Sequence, residues 1–60
     1  MILNATHKDQ AGQALWLGDH VRTPFETGKI IRMLPLNMMV IQTGTGAEYR
    51  VAGHTLERLS

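Results

Sequence analysis

The chain is short of several residue types, and each shortage removes a class of protein from consideration. It has no cysteine among its 60 residues, which excludes disulfides and tetrahedral thiolate zinc sites. No apolar run approaches the roughly 20 residues that cross a bilayer as a helix, so we expect no membrane partner. With one tryptophan, one tyrosine and one phenylalanine, it lacks the stacking platform of single-strand binders and the aromatic cage of methyl-lysine readers.

Charge and size are limited as well. Six basic residues stand against five acidic ones, a formal net charge of +1, so a basic patch must come from arrangement rather than excess. A chain of 60 residues makes one domain at most, with too little interior for a deep catalytic cleft. Its first residues lack the basic and apolar regions of a signal peptide. We expect a soluble, cytoplasmic protein with no cofactor and no small-molecule substrate.

From Gly18 onward the hydrophobic pattern predicts β-strands. Short alternating or apolar segments are separated by turn residues: "HVRT", "KIIRML", "MMVIQT", "AEYRVA" and "LERLS". Five short strands at this spacing favour an all-β fold, a single five-stranded small barrel. We expect residues 1–13 to form a short N-terminal arm, loosely ordered or laid against the rest, and residues 14–60 to form the barrel.

Strand alternation and residue size predict the interior. Trp16 is expected to be the largest apolar anchor, and Phe25 to fill the gap between the first two strands. Gly28 is expected to turn the chain at "ETG" in a conformation that other residues avoid. The inward positions of the strands are expected to be Val21, Ile30, Met39, Ile41, Tyr49 and Val51.

Several motifs carry a resemblance to known small barrels. Within residues 17–59, "GDHVRTPFETGKI", "TGTGAEYRV" and "LERL" follow one another in an order that resembles an SH3-like or Tudor-like five-stranded small barrel. The same order occurs in the C-terminal Tudor-like domain of UvrD-type helicases and in KOW-like bacterial modules. The resemblance implies the fold and a setting in nucleic-acid or transcription machinery, including RNA polymerase, without specifying a ligand. One position departs from it, because Glu26 follows Phe25 where a glycine is usual.

A second, narrower resemblance concerns the type II dihydrofolate reductases. They share the barrel, and "GDHVR" at residues 18–22 and "LER" at residues 56–58 look like their motifs. The active pore of that family needs a lysine directly after Val-Arg and a Gln-Ile-Tyr segment in the fourth strand. Thr23 and "AEY" at residues 47–49 stand in those places. Since only Tyr49 is retained, the reductase activity does not carry over to this chain.

The titratable residues form no recognisable catalytic or metal motif. His7, His20 and His54 lack the i, i+4 or H-x-H spacing of metal ligands, although a barrel would allow the last two to approach. Neighbouring His and Thr residues do not point at each other usefully on a strand, as a nucleophile and its base must. "TGTG" lacks the lysine and the helix of a phosphate-binding loop and indicates a hairpin turn. We predict no catalytic, cofactor-binding or metal-binding residues.

The outward positions of the middle strands are unusually apolar. If Ile30, Met39 and Ile41 face the core, their neighbours face out, where antiparallel strands normally carry polar residues. The apolar outward set, with leucines at the hairpin tip, is Ile31, Leu34, Leu36, Met38 and Val40. Such a patch marks an interface with a protein partner or in a homo-oligomer, unless apolar residues of the N-terminal arm cover it.

Basic residues accompany this apolar set at Arg22, Lys29, Arg32 and Arg50. Strict alternation from Ile30 would direct Arg32 into the core, which predicts a β-bulge or an early strand end there. Side chains of this kind either contact phosphates in a salt-dependent way or simply keep exposed strands soluble.

Three functional hypotheses follow from these residues. The first is a non-enzymatic interaction module that docks the outer face of its central strands onto a protein partner or its own copy. The second is direct DNA or RNA binding through the basic positions. The third, suggested by the reductase resemblance, is an enzyme whose site forms only between subunits.

Overall fold

The chain forms one antiparallel β-sheet, which a computed structural model describes for residues 7–60. Its elements are β1 (His20–Arg22), β2 (Thr27–Leu34), β3 (Met38–Thr43), β4 (Glu48–Ala52), a 3-10 turn (Gly53–Thr55) and β5 (Glu57–Arg58). The strands lie in the order β4-β3-β2-β1-β5. The predicted all-β class with five strands is therefore confirmed, while the sheet itself is not closed and ends at β4 and β5.

Six aliphatic side chains fill the core on the inner face of the sheet. They are Leu15, Val21, Ile30, Met39, Ile41 and Leu56, with Met33 and Val51 packed against them. In β3 the residues alternate between buried inner positions and outer positions that are half-buried or exposed, as the period of two requires. Each fully buried side chain of this kind contributes about 1.5–3 kcal/mol, so these few side chains account for much of the apolar stabilisation.

A β-bulge interrupts β2 at the position where the sequence predicts either a bulge or an early strand end, and the strand continues beyond it to Leu34. Ile30 lies opposite Ile41, but the next paired residue on β2 is Arg32, opposite Val40, so Ile31 is the extra residue. The bulge places both Ile31 and Arg32 away from the core and returns Met33 to it. This explains how two adjacent isoleucines occupy different environments without turning Arg32 inward.

The prediction that Gly28 turns the chain is wrong. The turn between β1 and β2 is Thr23–Glu26, where the Thr23 N–H donates to the Glu26 carbonyl at 2.9 Å. The Thr23 hydroxyl also donates to that carbonyl and accepts the N–H groups of Phe25 and Glu26. Gly28 lies within β2, where an added Cβ would be 3.1 Å from both the Gln42 carbonyl oxygen and Ile41 Cδ1. The glycine is needed for close approach inside the sheet.

The three aromatic residues are not the anchors that their size predicts. Trp16 is 48% exposed, Phe25 is 84% exposed and Tyr49 is 46% exposed. Leu15, one residue before the tryptophan, is fully buried and serves as the anchor. The expectations of a Trp16 anchor and a Phe25 plug are therefore wrong, because aliphatic side chains already fill the small core. Tyr49 does lie on the inner face, opposite Ile41, but on the edge strand β4 it remains half-exposed and is not part of the core.

The segment before β1 is hydrogen-bonded within itself and to the end of β2. Lys8 and Ala14 form an isolated antiparallel bridge, and the Leu15 N–H donates to the His7 carbonyl at 2.9 Å. The His7 Nε2–H donates to the Leu34 carbonyl at 2.6 Å, where β2 ends. Residues 7–15 contain no helix. Hydrogen bonds therefore tie residues 7–15 to the sheet, whereas residues 1–6 of the predicted arm lie outside the described residues.

Asn37 connects this segment to the tip of the β2–β3 hairpin. Its Oδ1 accepts the Lys8 N–H at 2.9 Å, and its Nδ2 donates to the Lys8 carbonyl at 3.1 Å. Its own carbonyl accepts the N–H of Gly53 at 2.8 Å. Three chain segments therefore meet at one asparagine.

Candidate interaction surface

The structure brings the predicted apolar outward residues of β2 and β3 together on the outer face of the sheet, opposite the core. Leu34 of β2 lies directly opposite Met38 of β3, and Met38 in turn lies opposite Ala52 of β4. The adjacent row across the same three strands is Arg32, Val40 and Arg50. Two neighbouring rows thus make one surface, which we call the outer patch: Arg32, Leu34, Met38, Val40 and Arg50.

The outer patch is partly open to solvent. Leu34, Met38 and Val40 are half-buried, so each retains accessible apolar surface that the core does not use. A depression of about 350 Å³ lies beside them, lined by Leu34, Pro35, Leu36, Met38 and Arg50. Because one wall carries a cation and the others are apolar, it favours an apolar group with an anion beside it.

Two further predicted interface residues lie at the margins of the patch. Ile31, the bulged residue, is 37% exposed. Leu36 stands at the tip of the β2–β3 hairpin and is 92% exposed. Its φ is 63° and that of Asn37 is 57°, so both central turn residues adopt the left-handed conformation of a type I′ turn. This conformation projects Leu36 away from the protein, beside the depression.

The four predicted basic residues do not form one cluster. Arg32 and Arg50 flank Val40, and no ion pair joins either of them to a carboxylate within residues 7–60. Lys29 lies opposite Gln42, one row further along the sheet. Arg22 lies on β1 and pairs with Glu57 of β5 at 3.1 Å. Arg32 and Arg50 therefore lie in the outer patch, whereas Arg22 is paired with a carboxylate on another strand.

A second depression, which the sequence did not reveal, crosses β1, β2 and β3. It measures about 330 Å³ and is lined by His20, Thr27, Gly28, Lys29, Gln42, Thr43 and Gly44. Two of its lining residues, Gly28 and Gly44, are glycines. The sequence could not bring these residues together, because the register of the strands depends on the turns and on the bulge.

The titratable groups of the described segment support structure rather than reaction chemistry. Asp9 is buried. Burial raises the pKa of its carboxyl, but hydrogen bonds from the N–H groups of Arg58, Gln13 and Ala11 and the charge of Arg58 lower that pKa by more. The pKa of Asp9 therefore lies below its ordinary value of 3.8. Its Oδ1 accepts from Ala11 and Gln13 at 2.9 and 2.8 Å, and its Oδ2 accepts from Arg58 at 2.9 Å. The carboxylate therefore closes the N-terminal loop onto β5.

Potential nucleophiles are also held in local structure. The Thr55 hydroxyl donates to the Ala52 carbonyl at 2.7 Å, as Thr23 does to Glu26 in the first turn. Ser60 Oγ lies 3.3 Å from His20 Nδ1, both being exposed, and no carboxylate in residues 7–60 hydrogen-bonds that imidazole. Over the same residues, no group of three or more His, Cys, Asp or Glu side chains is arranged to hold a metal ion.

The described part of the chain contains no helix of the length and apolarity that crossing a membrane requires. Comparisons with protein-family models, with curated proteins and with solved structures each returned no match.

Proposed function

We propose that the protein is a non-enzymatic interaction module whose outer patch docks onto an apolar segment of another protein that also carries acidic side chains. The observation that carries the proposal is the pairing of two rows across β2, β3 and β4. One row is apolar, with Leu34 and Met38 at its centre, and the other places Val40 between two arginines. An apolar centre with charge at its edges is the usual composition of a protein-binding surface.

The arginines of the outer patch favour a different protein as the partner over a second copy of the chain docked face to face. In a two-fold contact centred on Val40, the row Arg32–Val40–Arg50 would meet itself and bring like charges together. Neither arginine has a carboxylate partner in the described chain. Acidic side chains on a partner would supply the missing charge, so the surface is complementary to an acidic and apolar segment.

The size of the patch predicts a weak, reversible contact. Leu34, Met38 and Val40 are already half-buried, and only Leu36 is almost fully available. The interface is therefore smaller than the roughly 1,200–2,000 Å² of stable complexes. Leu36 would provide the largest apolar contact with the partner, and the left-handed turn, not packing, holds it in position.

We also propose that the sheet belongs to the SH3-like class of small barrels. The strand order supports this assignment, since β5 returns to pair with β1 after the 3-10 turn that follows β4. In this arrangement the meander β1 to β4 curls around Leu15 and Leu56. The Tudor-like and KOW-like resemblance of its motifs supports the proposal of a setting in nucleic-acid or transcription machinery, where short acidic and apolar segments would be the partners.

Direct nucleic-acid binding is the second candidate, and it is favoured by three cations that form no ion pair within residues 7–60. Arg32, Arg50 and Lys29 lie on neighbouring rows of the sheet, and Lys29 lines the second depression with His20. Phosphate groups, however, would make no favourable contact with the apolar Val40 that lies between the arginines. The pairing of Arg22 with Glu57 removes a fourth cation from the set.

An NMR titration of the labelled chain separates the two candidates. The probes are a peptide of alternating leucine and glutamate, the same peptide with glutamine for glutamate, and a short DNA duplex. We expect the acidic peptide to shift the amides of Arg32, Leu34, Met38 and Val40, and the glutamine peptide to bind less tightly. Shifts produced only by DNA, with affinity falling steeply as salt rises, would establish the second candidate instead.

Two variants sharpen this comparison. Val40→Thr keeps the β-branched shape and adds no charge, so it should weaken peptide binding about fivefold and leave DNA binding unchanged. Arg32→Ala should weaken both ligands, and for DNA it should also reduce the salt dependence by about one phosphate contact. Failure of the acidic peptide to perturb the outer patch at its highest soluble concentration would contradict the proposal.

A further inference from the structure

Within residues 7–60, β4 pairs only with β3, so its other edge carries unpaired backbone groups at two defined residues. The Thr43 N–H donates to the Ala47 carbonyl at 2.9 Å, and the Gly53 N–H donates to the Asn37 carbonyl at 2.8 Å. Antiparallel pairs alternate between residues that bond to the neighbour and residues that bond away from it. Ala47 and Gly53 therefore direct their backbone groups toward β3, as Tyr49 between them does, while Glu48 and Arg50 direct theirs toward the open edge.

The side chains on this edge are complementary to themselves. Tyr49 has an acidic residue before it and a basic residue after it, and all three are exposed. Neither Glu48 nor Arg50 forms an ion pair within the described residues. When such a strand meets its own copy in antiparallel register centred on Tyr49, each Glu48 lies opposite an Arg50. The sequence of the edge thus specifies both a partner and a register.

We propose that two copies of the chain associate through their β4 strands, antiparallel and centred on Tyr49, so that the two sheets join into one. Glu48 of each copy exchanges two backbone hydrogen bonds with Arg50 of the other, which gives four bonds across the two-fold axis. The side chains of the same residues form two cross-strand ion pairs on the outer face. An isologous contact of this kind closes on itself and makes a dimer rather than a fibre.

Tyr49 supports this arrangement by its exposure and position. It lies opposite Ile41 on the inner side of the sheet, yet 46% of its surface is accessible because β4 is the last strand. At the two-fold axis the two Tyr49 residues form a pair without mutual backbone bonds, the type in which side chains approach most closely. Each ring covers the other, and aromatic pairs of this kind stabilise antiparallel strands.

Charge disfavours the neighbouring register. Pairing centred on Arg50 would place the two arginines directly opposite each other and each Glu48 opposite an Ala52. Both ion pairs would be lost, and the two arginines would repel each other. The ladder is also limited at the end of β4, because the Thr55 hydroxyl already donates to the Ala52 carbonyl at 2.7 Å. The dimer contact is therefore short, centred and reversible.

The proposed dimer shares one residue, Arg50, with the outer patch, so the two contacts can be separated only through the other residues of each. It leaves Arg32, Leu34, Met38 and Val40 uncovered and aligns the outer patches of the two copies side by side on one extended sheet. Arg32→Ala and Val40→Thr should therefore weaken peptide docking without changing self-association. Changes at Glu48 or Tyr49 should change self-association in the absence of any peptide.

Single-cysteine variants test the register directly, because the native chain has no cysteine. In the proposed register two residues at position 49 have Cα atoms about 4.5 Å apart, within the range of about 4.4–6.8 Å that a disulfide spans. We expect Tyr49→Cys to form a disulfide-linked dimer under mild oxidation much faster than Thr45→Cys, which is exposed in the adjacent turn. Equal rates would overturn the proposal, as would faster cross-linking of Arg50→Cys than of Tyr49→Cys.

Charge exchange tests the same contact without a covalent bond. In sedimentation experiments over a range of concentrations, we expect the native chain to show a reversible monomer–dimer equilibrium. Glu48→Arg and Arg50→Glu should each weaken it about tenfold, since each places two like-charge pairs across the axis. The double variant restores opposite charges and should recover the native dimerisation constant. A native chain that stays monomeric, or a double variant that dimerises no better than the single ones, would overturn the proposal.

Discussion

Leu36 combines two features that rarely occur in the same residue. Its backbone is left-handed, with φ at 63°, and its side chain is 92% exposed. For an L-residue other than glycine this conformation costs about 1–2 kcal/mol, and the exposed side chain recovers none of it within the described structure. A residue that is strained and almost fully exposed in the free protein is understandable if its main contact is with a partner.

The Leu36→Asn variant separates the stability of the turn from its proposed use. Asparagine tolerates the left-handed region, so the free energy of unfolding should rise by about 1 kcal/mol, measured by urea denaturation. Binding of the acidic and apolar peptide should become weaker in the same variant. Leu17→Asn is the matched control, because Leu17 is 63% exposed and its φ is not positive. If Leu36→Asn lowered the stability, the turn leucine would have a structural role that contradicts this account.

At the scale of elements, the junction between β4 and the 3-10 turn depends on the absence of a side chain at Gly53. An added Cβ there would lie inside van der Waals contact of the Lys8 carbonyl oxygen and 2.7 Å from the side-chain amide atoms of Asn37. The φ of Gly53 is not positive, so the requirement is for space and not for an unusual backbone conformation. The close packing holds the N-terminal segment, the hairpin tip and β4 together.

We therefore expect Gly53→Ala to lower the free energy of unfolding by about 1–3 kcal/mol, the usual range for forcing extra atoms into a packed site. Gly44→Ala is the control, because no atom lies within 4 Å of the Cβ it would add and its φ is not in the left-handed region. Urea denaturation of the two variants gives the comparison. Equal stability of both would mean that Lys8 and Asn37 move aside without cost, and the junction would not be the rigid contact described here.

The elements differ in how far the sequence predicts them, and the reasons are physical. β3 was predictable because it is a short apolar run whose ends are marked by turn residues. The bulge was predictable because Arg32 cannot be buried without a partner. Gly28 was misassigned because a glycine required for close approach looks in sequence like a glycine required for a turn.

The outer patch could be predicted from the sequence only in part. The outward positions Met38 and Val40 could be assigned from the parity of β3, and the structure places them together with Leu34. Cross-strand neighbours could not be assigned, because register depends on the bulge and on turn length. Arg22 was therefore grouped with the other cations, although Glu57, distant in sequence, pairs with it.

At the scale of the whole molecule, the carboxylate of Asp9 joins the beginning of the described chain to its end. Arg58 lies 49 residues further along the sequence and donates its N–H to Asp9 Oδ2 at 2.9 Å. The Gln10 N–H donates to the Leu56 carbonyl at 2.9 Å, beside this bond. Because the core is small, such a connection between the N-terminal segment and β5 matters more than it would in a larger domain.

The lowered pKa of Asp9 predicts how stability depends on pH. Burial raises the pKa, but the N–H donors of Arg58, Gln13 and Ala11 and the charge of Arg58 have the larger, opposite effect, so the pKa lies below its ordinary value of 3.8. The folded state therefore binds the proton less tightly than the unfolded state does. The contribution of the carboxylate to stability is complete above the unfolded pKa, about 4, and is lost as the pH falls through the lower folded pKa.

The Asp9→Asn variant tests this contribution at the same scale. At pH 6 it should be less stable than the native chain by about 1–3 kcal/mol, since an amide has one acceptor oxygen and turns N–H groups toward other N–H donors. Below pH 4 the difference should shrink as the native carboxyl becomes protonated, and urea denaturation over this range measures it. Glu26→Gln, at an exposed side chain without a hydrogen bond within residues 7–60, is the control and should follow the native curve in this comparison. A constant difference between Asp9→Asn and the native chain at all pH values would show that the side chain acts through shape, and the charge-based connection between the two ends of the chain would be wrong.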